Sequence, residues 1–300
     1  MDELGGRWKE KVTPGLFSQA VSEFQNGNFA AAQQAASEYL HGLHERIHAC
    51  CLKENTRNIY DVKVSVIVVS HRNWLSACEA AAGLADFLKT PGVELIFVAN
   101  GLETSGAASE DYRFDARLFA LPENIGGAAA RNIGAYVARG TYLLFLDDDG
   151  ETGPEDLLRL VQTCAEKNAI AVRGRVVPRS EKGQGAEHYD LGDNLHAAPP
   201  VTEGICVWEG DHFKKYGGFD PLLPAHEGLD LCCRMLRELA PGRFLYEPGA
   251  TLRHDYAGSD EDRKKKVERL SIADRYLDYK GTQKMLTRTA FREYAKHQSG

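Results

Sequence analysis

The sequence predicts an α/β protein with an open, mostly parallel sheet flanked by helices. Its first sign is the run VKVSVIVV at 62–69, because an apolar, β-branched run is typical of a strand buried on both faces. An Ala- and Leu-rich segment at 74–89 predicts a helix and VELIFVA at 93–99 a second strand, which together make a βαβ unit. The ligand site of such a sheet lies beyond the carboxyl ends of its strands.

The same alternation continues along the chain. The next predicted elements are a strand at 117–121, an Ala-rich helix at 127–139, a strand at 141–146, a helix at 154–167 and a strand at 169–176. The polar, Gly- and Pro-rich segment from Pro178 to Val201 favours a loop near a site. Beyond it we expect a strand around 204–208, a short helix near 211–216 and a helix at about 228–239.

Both ends of the chain carry helical additions. Two helices are predicted between residues 16 and 48, with a break at Gly27 and Asn28, and they look like one tetratricopeptide-type hairpin. A single hairpin cannot bury its own apolar face, so we expect it to pack on the next domain; independent peptide binding is the alternative. The predicted divisions are an N-terminal helical extension, a central α/β domain and a C-terminal helical tail, at 1–60, 61–257 and 258–300.

The C-terminal tail is charged and helical from Asp260 onward. Its apolar stripe consists of Val267, Leu270, Tyr276 and Leu277. The stripe favours a helix that packs on the rest of the chain, and the alternative is contact with a partner or a membrane surface.

Composition places the chain among globular proteins. Its 300 residues are 43% hydrophobic, which is enough to bury a sizeable core. A formal net charge of −7 argues against a nucleic-acid-binding protein. The seven cysteines are odd in number and form no CxxC pair, which favours reduced, structural thiols in the cytoplasm. No apolar run reaches the roughly 18 to 20 residues of a membrane span, and we expect a cytoplasmic protein without a transmembrane segment.

Three consecutive aspartates end one of the predicted strands. They occur in LLFLDDDG at 143–150, where a strongly apolar stretch presents Asp147, Asp148 and Asp149 together. Adjacent carboxylates repel one another and resist desolvation. The cluster therefore indicates a cation site, a catalytic role or a solvated turn.

Four separated motifs occur in a fixed order. They are VSVIVVSHRN, NIGGAAARNIGAYVARGTYLLFLDDDG, YGGFDPLLPAHEGLDLCCR and YEPGATLRHDY. Together, over roughly Val62 to Tyr256, they resemble the family 2 glycosyltransferases of GT-A fold. The resemblance implies a Rossmann-like GT-A domain. It also implies a hexosyltransferase-type activity that moves a sugar, with inversion, from a nucleoside-diphosphate sugar to an acceptor hydroxyl.

A metal site is part of what the resemblance implies. Sugar transfer leaves additional negative charge on the departing diphosphate, and a divalent cation neutralises it as a Lewis acid. Mn²⁺ and Mg²⁺ prefer oxygen ligands, so Asp147 and Asp149 are expected to hold one of these cations. His254 matches the position at which many GT-A enzymes supply a further ligand.

Other motif residues are expected to bind the donor, for which a UDP- or GDP-linked sugar fits best. The helix after Asn124 and Gly126 begins with small residues, which lets backbone amides approach an anion. Arg131 on that helix is the expected contact for the diphosphate or the sugar. The remaining expected contacts with the nucleotide are Asp147 and Asp148 after the strand, and Ser70, His71 and Arg72 around the base.

The chain departs from its relatives at the end of the second strand. Family members commonly have an acidic residue there that contacts the nucleotide base, whereas FVANG places Ala99 at this position. Asn100 follows, and its amide can bond a uracil edge or a ribose through donor and acceptor atoms. A uridine donor thus remains possible, and the base stays open.

A second departure concerns the catalytic base. Family members usually carry Glu-Asp followed by x-Asp-Leu, and the second residue of the pair often deprotonates the acceptor. This chain has Glu227 followed by Gly228, which cannot act as a base. We expect Glu227 to take the proton or bind the acceptor hydroxyl, with Asp230 as the second candidate and a structural role at the helix start as its alternative. His226 is a further candidate that matches the motif less well.

Two other functions fit part of the pattern. LLFLDDDGET nearly matches the haloacid dehalogenase phosphatase signature, although that fold places this strand first. The changes at Ala99 and Gly228 are compatible with a degenerate nucleotide-sugar-binding or scaffold protein. For an active enzyme, the acceptor class stays open between a glycan, a lipid-linked molecule and a protein, and the C-terminal helices are a candidate surface for peripheral or partner contact.

Overall fold

The computed structural model describes residues 15–54, 61–71, 74–102, 116–179, 186, 188–201, 203–255, 260–282 and 284–298. The strands are β1 (Cys51–Lys53), β2 (Val64–Ser70), β3 (Val93–Asn100), β4 (Arg117–Leu121), β5 (Tyr142–Asp147), β6 (Ala171–Val177), β7 (His196–Ala197), β8 (Ile205–Glu209) and β9 (Phe244–Arg253). The α-helices are α1 (Leu16–Gln25), α2 (Phe29–His44), α3 (Trp74–Gly83), α4 (Ala85–Leu88), α5 (Gly127–Val137), α6 (Pro154–Glu166), α7 (Gly210–Lys215), α8 (Glu227–Met235), α9 (Asp260–Tyr279) and α10 (Lys284–Gln298).

The described strands form one sheet in the order β1-β4-β3-β2-β5-β8-β6-β9-β7. Strands β4, β3, β2 and β5 are parallel to one another. Strand β8 runs antiparallel between β5 and β6, and β9 is parallel to β6. Strands β2 to β6 and β9 therefore share one direction, which confirms the mostly parallel sheet predicted from the sequence.

The strand that ends in the aspartates is β5, and it lies beside β2 in the middle of this sheet. Strands β2, β3 and β4 precede it in the chain. The haloacid dehalogenase pattern requires this strand to come first, so the sheet does not fit that alternative.

Two features of the sheet region were not predicted. The helix expected at 74–89 is divided at Leu84, whose backbone leaves the helical conformation, so that α4 begins a new turn toward the sheet. Short strands at both edges, β1 and β7, each pair antiparallel with one neighbour. Strands of two or three residues are too short to show a period, which is why the sequence pattern did not indicate them.

The N-terminal hairpin packs on the central domain as expected. Helices α1 and α2 bury Phe17, Phe24 and Tyr39 in the same apolar core as the α5 face of the sheet. The ring centroid of Phe24 lies 5.0 Å from that of Tyr276 in α9, so the hairpin also joins the C-terminal tail. The boundary predicted near residue 60 falls outside the described residues and stays a prediction.

The C-terminal tail packs through the second half of α9. Tyr276 and Leu277 are buried, as the apolar stripe predicts, while Val267 is 60% exposed. The aromatic rings of the hairpin, Phe24 and Phe29, pack against Tyr276 at this end of α9. None of the helices in the described part of the chain is long and apolar enough to cross a membrane.

Helix α5 lies directly against the sheet because it carries a glycine at the contact. A Cβ atom at Gly134 would lie 2.4 Å from Cγ2 of Ile67 in β2, far inside van der Waals contact. The absence of a side chain lets the helix backbone approach β2 and β3 closely. This approach matters for the site because the same helix carries Arg131.

Replacing Gly134 by alanine should therefore destabilise the fold. Overpacking against Ile67 should lower the free energy of unfolding by about 1–3 kcal/mol in urea titrations followed by circular dichroism. Gly42→Ala in α2 is the control, because a Cβ there meets no atom within 4 Å. It should raise the free energy of unfolding by roughly 0.5–1 kcal/mol through helix propensity. Equal effects of the two substitutions would contradict the tight contact of α5 with the sheet.

Candidate active site

The candidate site lies at the carboxyl edge of the parallel strands. Ser70, Asn100 and Asp147 are the last residues of β2, β3 and β5. Ser70 stands opposite Ala99, and Val69 stands opposite Asp147, so the three strands end at the same level. The register thus brings three of the expected site residues to one place.

Arg131 connects the strand end to the start of α8. Its Nη2 donates to Oδ1 of Asp147 at 2.7 Å, and its Nη1 lies 3.8 Å from Oε1 of Glu227. The guanidinium is mostly buried, and a buried charge is stable only when it is paired. The guanidinium of Arg131 therefore lies between Asp147 of β5 and Glu227, the expected base at the start of α8.

The backbone at the start of α8 places Glu227 inside the site. His226, at the N-cap, has a φ of 67°, a left-handed conformation that non-glycine residues seldom adopt. Its Nε2 lies 3.3 Å from Oδ1 of Asp274 in α9, so its imidazole contacts the tail. The turn directs the chain inward, and Glu227 is buried at the first position of the helix.

Glu203, just before β8, is a site residue that the sequence analysis missed. Its Oε1 accepts a hydrogen bond from the backbone N–H of Gly228 at 2.6 Å. A Cβ at Gly228 would lie 2.1 Å from the carbonyl oxygen of Pro200 and 2.7 Å from that same Oε1. The space beside Gly228 is filled by another segment of the chain. The sequence indicates Glu203 only indirectly. Gly228 stands where the family pattern has a carboxylate, and a residue without a side chain leaves room for a side chain from another segment.

Burial and like charge raise the proton affinity of this acidic pair. Burial, reinforced by the negative charge of Glu203, raises the pKa of Glu227 to about 8, and Arg131 opposes the increase. Burial also raises the pKa of Glu203, against the effects of Arg131 and of the Gly228 amide. A carboxyl group whose pKa lies near neutrality is suited to general acid–base chemistry.

The third aspartate lies beside the expected histidine ligand. Nε2 of His254 is 3.3 Å from Oδ1 of Asp149. The hydrogen bond from His254 lowers the pKa of Asp149, and the same bond raises the pKa of His254. The backbones of Glu151 and Arg253 pair in both directions, at 3.1 and 2.8 Å, which fixes the aspartate loop to the end of β9.

This pair fits a divalent cation as a partial ligand set. One carboxylate and one imidazole are donors that Mn²⁺ accepts, and Mg²⁺ sites commonly use one or two carboxylates with substrate phosphates. Asp147 is turned to Arg131 instead. No group of three candidate ligands is assembled among the residues that the structure describes. Donor phosphate oxygens would have to complete such a site, and Asp147 as a ligand stays a prediction.

Asp148 turns toward the end of β2. Burial raises its pKa, and a hydrogen bond with Ser70 opposes the increase. Ser70 is itself buried, whereas His71 after it is exposed. Arg72, the third residue expected around the base, lies outside the described residues.

Asn100 makes hydrogen bonds within the protein that the sequence did not indicate. Its side chain is 1% exposed, its Oδ1 accepts from the Ile125 amide at 2.9 Å, and its Nδ2 donates to Oδ1 of Asn124 at 3.0 Å and to the Gly126 carbonyl at 3.2 Å. Its amide thus fixes the loop that precedes α5, where Gly126 has a φ of 80°. A base contact by Asn100 stays a prediction that these bonds disfavour.

Asp230, the second candidate for the base, has a structural role. Its side chain is 0% exposed, and Oδ1 accepts from Lys280 at 2.9 Å and from Thr282 at 3.0 Å. Oδ2 accepts from Arg234 at 3.1 Å. These bonds tie α8 to the C-terminal tail, and the complete burial of Asp230 separates its carboxylate from an acceptor hydroxyl.

Related chains are found among known proteins. Glycosyl transferase family 2 matches residues 65–225. A pre-mycofactocin glycosyltransferase of Mycobacterium tuberculosis is 27% identical over 181 residues, which cover 55% of this chain and 38% of that protein. The uncharacterized glycosyltransferase EpsJ of Bacillus subtilis is 38% identical over 85 residues, or 27% of this chain and 24% of that protein. The chain spans less than half the length of these relatives.

Solved structures of similar architecture include S. aureus TarS and GalNAc-T7. S. aureus TarS 1–349 superposes with a TM-score of 0.52 at 19% identity, over 72% of this chain and 66% of that one. GalNAc-T7 with UDP, GalNAc and Mn²⁺ superposes with a TM-score of 0.51 at 16% identity, over 67% and 44%. At such identities the likeness concerns the fold alone, and it supports the GT-A architecture.

The structural role of Asp230 can be tested by its replacement with asparagine. Asp230→Asn removes the negative charge that Lys280 and Arg234 contact here, while Lys280 keeps Asp220, so the free energy of unfolding should fall by roughly 1.5–3 kcal/mol. Asp278→Asn, at an exposed position of α9, should change it by less than about 0.5 kcal/mol. Urea titration measures both, and an unchanged stability of Asp230→Asn would contradict the assignment.

Proposed function

The chain belongs to glycosyl transferase family 2, and from this premise we propose that it transfers a hexose from a nucleoside-diphosphate sugar to an acceptor hydroxyl with inversion. The single observation that carries the proposal is the cluster around Arg131. Arg131 lies between Glu227, a buried acidic residue with a raised pKa, and the end of β5, which carries the aspartates.

The similar proteins support the choice of donor class. TarS has been crystallised with UDP-GlcNAc and with UDP, and GalNAc-T7 with UDP, GalNAc and Mn²⁺. We therefore favour a UDP-linked donor, with a GDP-linked donor as the alternative. For the same reason Mn²⁺, or Mg²⁺ with similar chemistry, is the proposed cofactor.

The leaving group is the part of the donor that needs the most stabilisation. A divalent cation held by Asp149 and His254, and by Asp147 if its pairing changes, would neutralise charge on the departing diphosphate. Arg131 already lies between two carboxylates, so its guanidinium is held in place before the donor arrives. We assign it a contact with the diphosphate or the sugar.

Glu227 is the proposed general base. The acceptor hydroxyl would give its proton to the Glu227 carboxylate while the acceptor oxygen bonds to the anomeric carbon. The bond from that carbon to the phosphate oxygen breaks, and its electron pair leaves with the diphosphate. A base whose pKa lies near the working pH combines a useful ionised fraction with strong proton affinity.

The proposal extends to the surroundings of the reaction. We place the protein in the cytoplasm, with no nucleic-acid partner and with a glycan, a lipid-linked molecule or a protein as acceptor. The exposed first half of α9 carries Arg263, Lys264 and Lys265 and is the candidate surface for peripheral or partner contact.

Donor binding tests the metal assignment directly. A panel of nucleotide sugars should raise the thermal midpoint of the protein with Mn²⁺ present, since a ligand at 100 times its dissociation constant adds about 2.7 kcal/mol of stability. Asp149→Ala should abolish the metal-dependent part of the shift. Asp86→Asn, which removes a carboxylate that is 90% exposed on α4, should retain it. A panel in which no nucleotide gives a metal-dependent shift would refute the metal site.

Turnover tests the assignment of the base. Glu227→Gln preserves the shape of the side chain but cannot accept the proton, so the rate of sugar transfer, or of donor hydrolysis by water, should fall by about 10²–10⁴-fold. Donor affinity measured by the thermal shift should stay within a few-fold, because the loss concerns the transition state. A variant that keeps its rate but loses donor affinity would show Glu227 to be a binding residue.

A further inference from the structure

Glu203 occupies the place in which a side chain at position 228 would lie. Its Oε1 is 2.6 Å from the Gly228 nitrogen and would be 2.7 Å from a Cβ at that position. The adjacent Gly204 lies against Asp147, whose backbone N–H donates to the Gly204 carbonyl at 3.3 Å. Glu203 is therefore held between the start of α8 and the end of β5, on the side of the site that faces Arg131.

Charged groups from three other segments of the chain act on Glu227. They are Arg131 from α5, Asp147 from β5 and Glu203 from the segment before β8. The neighbouring His226 faces Asp274 of α9, with 3.3 Å between Nε2 and Oδ1. Glu227, Glu203 and Asp147 share the guanidinium of Arg131, and Lys266 of α9 adds a second positive charge that acts on Asp147. Burial and the mutual repulsion of the two glutamates favour a proton on the carboxyl that is least well stabilised as an anion.

The two glutamates differ in how their anions are stabilised. Glu203 accepts a short hydrogen bond from the Gly228 amide at the helix N-terminus, where the helix dipole also favours negative charge. Glu227 lies 3.8 Å from Arg131, which is beyond hydrogen-bond distance. Burial raises the pKa of both carboxyls, but the direct hydrogen bond from Gly228 favours the anion at Glu203, so the proton of the pair goes to Glu227.

From this geometry we propose that Glu203 is a positioning residue whose fixed negative charge makes Glu227 a stronger base for the acceptor hydroxyl. The proposal rests on the function proposed above. In the active form both carboxyls are ionised. The proton of the acceptor moves to Glu227 as the new bond to the anomeric carbon forms, the electron pair of the broken bond leaves with the diphosphate, and Glu227 later returns the proton to water. Glu203 itself does not touch the reacting atoms.

The first test needs no turnover. Carbon-13 NMR of protein labelled at glutamate side chains, free of metal, should show one carboxyl with a titration midpoint above about pH 6, well beyond the ordinary value of roughly 4.3. Glu227→Gln should remove this resonance. Glu203→Gln, which keeps an oxygen for the Gly228 amide but carries no charge, should lower the midpoint by about one pH unit or more. A wild-type protein without such a carboxyl, or an unmoved midpoint in folded Glu203→Gln, would overturn the proposal.

The second test uses the reaction. The acid limb of the pH profile of kcat/KM should move to lower pH in Glu203→Gln by about the shift found in the NMR titration. The matched control is Glu247→Gln in β9, because Glu247 also accepts from a glycine amide, that of Gly249 at 2.9 Å, outside the cluster around Arg131. It should leave the limb in place. A purely structural role of Glu203 would lower the rate without moving the limb.

The two tests separate this proposal from the function on which it rests. If wild-type protein turns over no donor, the proposed transferase function fails, while the NMR titration still decides whether Glu203 controls Glu227. If the wild type is active and Glu203→Gln leaves both the midpoint and the acid limb unchanged, the role of Glu203 fails and the transferase function stands.

Discussion

The candidate site depends on one buried cation. Arg131 is mostly shielded from solvent, and a guanidinium in such a place must be paired or it destabilises the fold. Its partners come from separate parts of the chain, Asp147 at the end of β5 and Glu227 at the start of α8. The ion pairs that balance the charge of Arg131 therefore also bring Asp147 and Glu227 together. Gly134 makes this possible, because it lets α5 lie close enough to β2 for Arg131 to reach the strand end.

Two sets of contacts fix the start of α8. On the side that faces the site, Gly228 contacts Pro200 and Glu203. On the outer side Asp230 holds Lys280 of the C-terminal tail. A residue that binds a reacting proton must be placed to a fraction of an ångström, and packing on rigid elements provides such placement. The tail thus contributes to the site by positioning α8, and its contact with Asp230 has no direct part in the proposed reaction.

The sequence predicted what is encoded locally. The parallel strands were recognised because burial on both faces requires continuous apolar runs, and Asp147 and Asp149 were found because they end such a run. Asp230 and Glu203 show which roles the sequence could not predict. The motif made Asp230 look catalytic, but its role is decided by Lys280, fifty residues later. Glu203 acts through Gly228, twenty-five residues away. Contacts across such distances leave no periodic pattern, so only the folded chain reveals them.

The surroundings of Gly228 in the structure give this residue a different interpretation from the one that the sequence suggests. In the sequence it resembles a lost catalytic carboxylate, which is compatible with a degenerate protein. In the structure a side chain at position 228 and Glu203 in its present place exclude each other, because a Cβ would lie 2.7 Å from the Glu203 carboxylate and 2.1 Å from the Pro200 carbonyl. The glycine is therefore the condition under which a carboxylate from a different segment can reach the helix start. A second acidic group is present beside Glu227 after all, and it arrives from the segment before β8 instead of from the helix itself.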